Sequence, residues 1–341
     1  MKKGLKITIS IISVLLSLIL VFLGVYYLWP WNKEFFDNAS VEFAIPGLDT
    51  DFVPQGISKV DGYNEYLISG YMNDGSPSRF YLIDGEEKSI VKYVTLNIGG
   101  SQYTGHAGGV VSFGSTCWTV SYVEEKEKGY AFRFMLSELR DTENGESIYI
   151  DEATDCFETY NNADFVFTYD NMLWVGEFYK QDKYETDEAH RLTTRSGEVN
   201  PAVVYGFSIN ESLKYGLSSS FPQKALSIRG LCQGISVTPD GKFVMTSSYS
   251  IPDSSIYYYQ DVLSEDAHNS DFAIGYNKVP LWYLDNDSLI STTNAPAMVE
   301  ESVVENGRVY LLFESACKKY KLFNRKRLTN VYSIPLTYLE K

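Results

Sequence analysis

Gln233-Gly-Ile-Ser-Val-Thr-Pro-Asp-Gly-Lys-Phe-Val-Met-Thr-Ser-Ser-Tyr249 has the pattern of a β-hairpin with two apolar strands. The pair Asp240-Gly241 favours the left-handed backbone of a tight hairpin turn, and short apolar runs flank it on both sides. The stretch therefore predicts two antiparallel strands that begin after Gln233 and end near Tyr249.

Four weakly similar units occur elsewhere in the chain, beginning at Gln55, His106, Asn162 and Glu300. Each has a short apolar strand, a turn and a second apolar strand, with the turns at Asp61-Gly62, Gly114-Ser115, Asp170-Asn171 and Asn306-Gly307. Five hairpins at similar intervals indicate radial repetition. The starts lie further apart than the roughly 40 to 50 residues of common propeller blades, so the chain must also contain inserted loops.

The repeats predict an all-β domain folded as a five-bladed β-propeller. Aromatic residues make up 15% of the chain, with 27 Tyr and 19 Phe, and such residues suit half-buried strands. The fifth unit has little chain after it, so a strand at residues 41–45 is expected to complete its sheet and close the ring. The alternatives are a β-sandwich, or a six-bladed ring with its extra blade in residues 178–228.

The N-terminus has the pattern of a membrane anchor. Three lysines, Lys2, Lys3 and Lys6, precede an uncharged apolar run from Ile7 to Leu28, and about 20 such residues cross a bilayer. Positive charge before the span favours a cytoplasmic N-terminus, and the aromatics that follow suit the opposite interface. The expected order is a cytoplasmic N-terminus (residues 1–6), a transmembrane signal anchor (7–29), a linker (30–40) and an extracytoplasmic propeller (41–341), with a cleaved signal peptide as the alternative.

The net charge of the chain excludes some classes of binding partner. The formal net charge is -15, and we expect no basic cluster beyond the N-terminus, which argues against nucleic acid and against docking on anionic lipid. The lipid bilayer is then a partner only through residues 7–29. Four cysteines permit three full disulfide pairings, but apolar surroundings favour free, buried thiols. They are Cys117, Cys156, Cys232 and Cys317.

Strand order predicts where a binding site would lie. If each first strand runs down beside the channel and each second strand returns, first-strand starts and second-strand ends share one face. The long insertions at residues 72–78, 123–129, 180–201 and 250–254 open onto that face, where binding residues tend to lie. The polar and aromatic residues expected there are Gln55, Tyr71, His106, Tyr122, Asp164, Glu177, Gln233, Tyr249, Glu300, Glu301 and Glu314.

Three of these residues are candidates for acid/base chemistry. Glu177 and Glu314 interrupt apolar strand ends and His106 lies among glycines, although each has a simple structural alternative. Gln55 and Gln233 either line the channel with a ring of amides or bond strand carbonyls of adjacent blades. His190 lies in a charged loop, which is either a lid or solvated surface. The cofactor is unknown: no residue is assigned to a metal, and a channel calcium, or one at Asp285-Asn-Asp287, stays open.

Several of these units resemble known propeller families. Pro54-Gln-Gly-Ile57, His106-Ala-Gly-Gly109, Leu173-Trp-Val-Gly-Glu-Phe178, Gln233-Gly-Ile235 and Leu312-Phe-Glu-Ser315 resemble bacterial secreted propellers of the quinoprotein-like and strictosidine-synthase-like groups. Gln55-Gly-Ile57 with Gly70-Tyr-Met-Asn-Asp-Gly-Ser-Pro-Ser-Arg79 is similar to plant-type five-bladed glutaminyl cyclases, but differs in loop length and intervening residues. That second resemblance would make Glu177 or Glu314 the proton-transfer residue.

Three functions follow as expectations. The first is a membrane-anchored binding module for a small or extended ligand, a peptide or glycan, at the channel mouth. The second is an extracytoplasmic enzyme on the same scaffold, either a glutaminyl-cyclase-like aminoacyltransferase or a hydrolase, which uses the carboxylates and His106. The third is an envelope protein-interaction scaffold, which predicts an exposed apolar patch instead of a polar pocket.

Overall fold

Five sheets surround a central channel. The structure, a computed structural model, describes residues 2–341, without the side chains of residues 2–7, 9, 10 and 28. The first strand of each sheet contacts the first strands of both neighbouring sheets, so the five form a closed ring. The predicted five-bladed β-propeller is confirmed.

Each blade has four antiparallel strands, ordered from the channel outward. Blade 1 has Phe52–Lys59, Glu65–Met72, Arg79–Asp84 and Ser89–Ile98, and blade 2 has Gly109–Phe113, Thr116–Val123, Lys128–Met135 and Cys156–Glu158. Blade 3 has Phe165–Tyr169, Met172–Gly176, Ala202–Ser208 and Lys224–Ile228, and blade 4 has Cys232–Val237, Phe243–Ser247, Ser254–Tyr259 and Leu289–Ala295. Blade 5 has Val299–Glu305, Arg308–Phe313, Asn330–Pro335 and Ser40–Ala44.

Two blades carry additional outer strands. Ser147–Ile150 pairs in parallel with the fourth strand of blade 1, on which Ser101–Gln102 also pairs. Asn277–Tyr283 pairs in parallel with the fourth strand of blade 3, and Asn269–Ile274 follows outside it. The strand Asn277–Tyr283 thus extends blade 3, because the chain crosses back after the third strand of blade 4. Residues 178–228 complete blade 3, so they form no sixth blade.

The ring closes between the two ends of the propeller. Ser40–Ala44 pairs antiparallel with Asn330–Pro335, as expected for residues 41–45. Phe43 faces the interior at 4% exposure and its ring lies 4.9 Å from that of Tyr66 in blade 1. Val41 is 57% exposed, and a β-bulge separates it from Phe43. The buried ring of Phe43 therefore joins this strand to the core, so the strand does more than cover the edge of blade 5.

Helices are few and lie mostly outside the ring. They are Lys2–Leu28, Lys33–Asn38, Leu136–Asp141, Glu152–Asp155 and Leu336–Leu339, with 3-10 turns at Glu124–Lys126, Glu188–His190, Lys214–Gly216 and Val262–Ser264. A two-strand ladder joins Leu192–Thr193 to Val199–Asn200.

The structure of the N-terminal region can be compared with the predicted membrane anchor. Among the residues described, no helix is both long and apolar enough to span a membrane. The side chains of Lys2, Lys3 and Lys6, on which the predicted orientation rests, lie outside the described part. The predicted linker contains the helix Lys33–Asn38, whose Phe35 is buried against Phe313 of blade 5.

The apolar core lies between neighbouring blades. One cluster fills the space between blades 1 and 2, a second that between blades 2 and 3, and a third that between blades 3 and 4. The fourth cluster spans blades 4, 5 and 1 and includes Phe43. All four cysteines are free, and three of them are fully buried, as expected for small apolar side chains.

We expect Phe43→Ala to lower the free energy of unfolding by about 3–5 kcal/mol, because it removes a buried ring from the closing strand. Val41→Ala, at an exposed position of the same strand, should cost less than about 1 kcal/mol. Guanidinium unfolding of the full chain, followed by tryptophan fluorescence, measures both variants. Equal losses would contradict an anchoring role for Phe43.

Candidate functional site at the channel mouth

The carboxylate of Glu301 crosses the centre of the channel and joins several blades. Its Oε2 accepts the backbone N–H groups of Ile57 in blade 1, at 3.0 Å, and Val110 in blade 2, at 3.4 Å. Its Oε1 accepts the N–H of Val166 in blade 3, at 3.1 Å. Burial raises the pKa of Glu301 well above its usual value, while the three donors act in the opposite direction. Glu301 was predicted at the mouth, but its carboxylate instead links first strands inside the ring.

Close packing around Glu301 explains the repeated glycines. A Cβ on Gly109 would collide with Glu301 Oε1, and one on Gly234 would lie 2.8 Å from the Cα of Glu301. Gly56 is equally confined, with Val110 N only 2.7 Å from the position of its Cβ. The glycines in the Gln-Gly-Ile and Gly-Gly-Val starts of the hairpins are therefore required by the narrow channel, whether or not a ligand binds beside them.

Four blades begin with a left-handed residue at the mouth. The residues are Ala107, Ala163, Leu231 and Met298, with φ between 50° and 64°. A side chain other than glycine is strained in this conformation, typically by 1–3 kcal/mol where the surroundings impose it. The turn directs each chain from the rim into the channel, so the mouth has a fixed shape.

Two carboxyl groups form the floor of the mouth. Glu300 and Glu314 hydrogen-bond to each other, and Gln55 Nε2 donates to Glu314 Oε2 at 3.3 Å. Burial and the neighbouring Glu314 charge raise the pKa of Glu300 well above its usual value. Burial raises the pKa of Glu314 to about 7, against the lowering influence of the Lys319 ammonium. Burial and mutual repulsion therefore favour the pair with one proton over the doubly ionised pair.

An aromatic stack stands beside this pair. The rings of Tyr71 and His106 lie 4.7 Å apart and 25° from parallel, and Lys319 Nζ donates to Tyr71 Oη at 2.6 Å. His106 is solvent-exposed at the rim, yet the dense surroundings and the Lys319 charge lower its pKa to about 4. Neither ring nitrogen of His106 has a hydrogen-bond partner among residues 2–341. A neutral imidazole is thus available to a ligand in the mouth.

A second polar cluster lies between blades 2 and 3. Both Glu177 oxygens lie 3.0 Å from His190 Nδ1, and Val203 N donates to Glu177 Oε2 at 3.1 Å. His190 Nε2 lies 2.9 Å from Tyr205 Oη. Glu177 and His190 line a cavity of about 200 Å³ that also contains Asn161, whose Oδ1 is buried without a hydrogen-bond partner within the described chain. His190 is buried, so it fixes the charged loop to the propeller.

The remaining predicted residues lie around the rim without joining the central pair. Asp164 Oδ2 accepts the N–H of Phe178 at 2.7 Å, and burial raises the pKa of Asp164 to about 7. Gln233 Nε2 donates to Ser248 O, directly after the second strand of its own blade, and not to a strand carbonyl of an adjacent blade. Tyr249 contacts Lys183, and Tyr122 is exposed. Of the predicted set, Gln55, Tyr71, His106, Glu300 and Glu314 come together.

Three residues of the mouth were not predicted, namely Cys317, Lys319 and Tyr320. They belong to the loop of residues 314–329, which follows the second strand of blade 5 just as the predicted insertions follow theirs. The expectation of no basic cluster beyond the N-terminus was wrong, because six of residues 318–327 are Lys or Arg. That density in an acidic chain is the signal that would have identified the loop.

The open question of a metal has a limited answer. Within residues 2–341, excluding the undescribed side chains, no group of three or more His, Cys, Asp or Glu residues is arranged to hold a metal ion. Asp285, a candidate calcium ligand, instead binds Arg195 through both carboxylate oxygens, at 3.1 and 3.2 Å. The mouth itself presents hydrogen-bonding and aromatic groups.

Comparisons with known proteins give only distant similarities. No protein-family model and no curated protein matches the chain. A GH43_1 enzyme from Xanthomonas citri complexed with xylose is 12% identical, with a TM-score of 0.47, over 86% of this chain and 90% of that one. Glutaminyl cyclase from Myxococcus xanthus is 10% identical, with a TM-score of 0.43, over 87% and 95%.

A third structure, PQQ-bound aldose sugar dehydrogenase from Streptomyces coelicolor, is 10% identical, with a TM-score of 0.42, over 81% of this chain and 78% of that one. Similarities of this size do not bear on activity. The five-bladed architecture rests on the strand pairing of the chain itself.

We expect Glu301→Gln to lower the free energy of unfolding by about 1–3 kcal/mol, since an amide NH₂ group would face a buried N–H donor and leave it unpaired. Glu87→Gln, at an exposed turn, is the isosteric control and should change little. Denaturant unfolding of the full chain gives both values. An unchanged stability for Glu301→Gln would contradict the proposed three-blade acceptor.

The carboxyl pair predicts a pH dependence of stability. The pKa of Glu314 is raised in the folded state, so the folded protein holds a proton that the unfolded chain has released between about pH 4.5 and 7. Stability should fall as pH rises through this window, and Glu314→Gln should reduce the fall. Unfolding at pH 5, 6.5 and 8 measures it, with Glu87→Gln as control; an unchanged slope would contradict the assignment.

Proposed function

We propose that this protein is a membrane-anchored, extracytoplasmic propeller that binds a small polar ligand, a peptide or glycan, at the channel mouth. The observation that carries the proposal is the unpartnered, exposed imidazole of His106, stacked on Tyr71 beside the coupled carboxyl pair. An exposed ring nitrogen with no protein partner can exchange its hydrogen-bonded water for a polar group of a ligand. The free nitrogens of a rigidly held ring favour a binding role.

The chemistry of the mouth favours a polar, uncharged or cationic ligand. Glu300 and Glu314 provide acceptors and one shared proton, and Gln55 provides an amide in the same recess. The Tyr71–His106 stack offers a flat amphipathic surface, and Tyr side chains combine apolar contact area with a hydrogen-bonding hydroxyl. This combination suits hydroxyl-rich or amide-rich ligands and disfavours phosphate, which two carboxyl groups would repel.

The anchor and the extracytoplasmic location rest on the N-terminal sequence. The uncharged run Ile7 to Leu28 is preceded by three lysines, and apart from Ser13 and Ser17 the exposed side chains between Ile11 and Val25 are apolar. A helix in water would normally bury such a face. These features support insertion of the helix into a bilayer, with the propeller on the side opposite the lysines.

A second candidate function is catalysis at the same mouth. The raised pKa of Glu314, about 7, favours it, because general acid–base groups work best near the ambient pH. Glu300 would assist by sharing its proton with Glu314. Transfer of a proton to or from a bound glycan or peptide is within reach of this pair, whereas Glu177 is fully engaged by His190 and backbone donors.

A panel of neutral oligosaccharides and short peptides, including N-terminal glutamine peptides, tests both functions by titration calorimetry and product analysis. We expect binding to weaken about 2–10-fold in Tyr71→Ala, because ring contacts contribute about 0.5–1.5 kcal/mol. Tyr276→Ala is the control, since Tyr276 is fully exposed on an outer hairpin. Equal affinities in both variants would contradict binding at the mouth, and product lost in Glu314→Gln would favour catalysis.

A further inference from the structure

A basic segment lies next to the mouth on blade 5. Residues 318–327 form this basic loop, which reads Lys-Lys-Tyr-Lys-Leu-Phe-Asn-Arg-Lys-Arg and contains no acidic residue. Lys318 lies 3.6 Å from Asp51, and Arg325 pairs with Asp253. Lys321 and Arg327 are exposed and have no carboxylate within ion-pair distance in the described part of the chain. The loop is therefore a local positive surface on a protein of net charge -15.

The basic loop also joins the mouth to the N-terminal helix. Lys319 reaches Tyr71 at the mouth, while Tyr26 Oη donates to Phe323 O at 2.8 Å and Tyr27 Oη to Leu322 O at 3.3 Å. Phe323 follows Lys319 by four positions in the chain, a span of at most about 14 Å. The end of the helix and the rim of the mouth are thus held close together.

Apolar side chains accompany the positive charge. Leu322 is 68% and Phe323 62% exposed, directly beside the aromatic end of the helix. The Arg325 guanidinium lies 4.3 Å from the centre of the Trp31 ring. Aromatic side chains with Lys and Arg are characteristic of the level where protein meets lipid head groups, and basic segments there bind anionic lipid.

We propose that the basic loop rests on an anionic bilayer surface and holds the channel mouth toward it, so that the ligand of the mouth is a membrane-borne molecule. This inference rests on the proposed membrane anchor and on binding at the mouth. Leu322 and Phe323 enter the head-group region, and Lys321 and Arg327 contact lipid phosphates. A ligand with a polar head on a lipid tail then reaches Glu300 and Glu314 without leaving the membrane surface.

A spin-label experiment tests the orientation of the full chain, in a Cys156→Ser background since the other cysteines are buried. Nitroxides are placed at Leu322→Cys and at Ile90→Cys, an exposed apolar position in the outer strand of blade 1, at the end of that strand away from the mouth. The chain is reconstituted in phosphatidylcholine vesicles with and without phosphatidylglycerol. We expect oxygen-dominated relaxation at position 322 and relaxation dominated by a water-soluble nickel chelate at position 90.

A double charge-reversal variant tests how much the positive charge of the basic loop contributes to its contact with anionic lipid. Lys321→Glu combined with Arg327→Glu should shift the label at position 322 toward water on vesicles that contain phosphatidylglycerol, with little change on phosphatidylcholine alone. Relaxation dominated by the nickel chelate at both label positions would overturn the proposal. Alkaline carbonate extraction separates the two failures: release of the chain refutes the anchor, whereas a retained chain with a water-exposed position 322 refutes only the orientation.

Discussion

The carboxylate of Glu301 is the interaction on which the rest of the structure depends. A propeller has no single core, because each blade packs only on its neighbours, and its centre would otherwise be an open pore. In this chain one side chain from blade 5 accepts N–H groups from blades 1, 2 and 3. The backbone of blade 4 touches the same residue through Gly234. The channel is therefore filled at this depth, and the mouth above it is a recess.

That arrangement gives the five blades different roles. Blades 1, 2 and 5 supply the groups of the mouth, namely Gln55, Tyr71, His106, Glu300 and Glu314. Blade 3 directs its carboxylate, Glu177, away from the channel toward His190, where it fixes the long loop after the second strand. Five similar hairpins thus yield one asymmetric site, because the side chains at equivalent positions differ while the backbone repeats.

The sequence was sufficient for the architecture because hairpins are local. The turn pairs and apolar runs predicted all five, and the missing partner for blade 5 predicted the closing strand. Features that depend on contacts between distant segments were not predictable: the depth of Glu301, the parallel strand Asn277–Tyr283 on blade 3, and the left-handed Ala107 and Met298. Alanine and methionine seldom adopt positive φ, so the residue types at these positions did not predict the turns. Lys319 was missed because the loop after the second strand of blade 5 was not counted among the predicted insertions.

Ring closure between chain ends also affects how the protein is made. Glu42 of the closing strand bonds Ser333 of blade 5 across 291 residues of sequence. At about 5–20 residues per second, a ribosome needs roughly 15 to 60 s to produce the second partner after the first. Throughout that interval the earliest strand and the growing sheets have unpaired edges, which invite pairing with other chains. The strand Ser40–Ala44 therefore stays available to other chains until Asn330–Pro335 has been made.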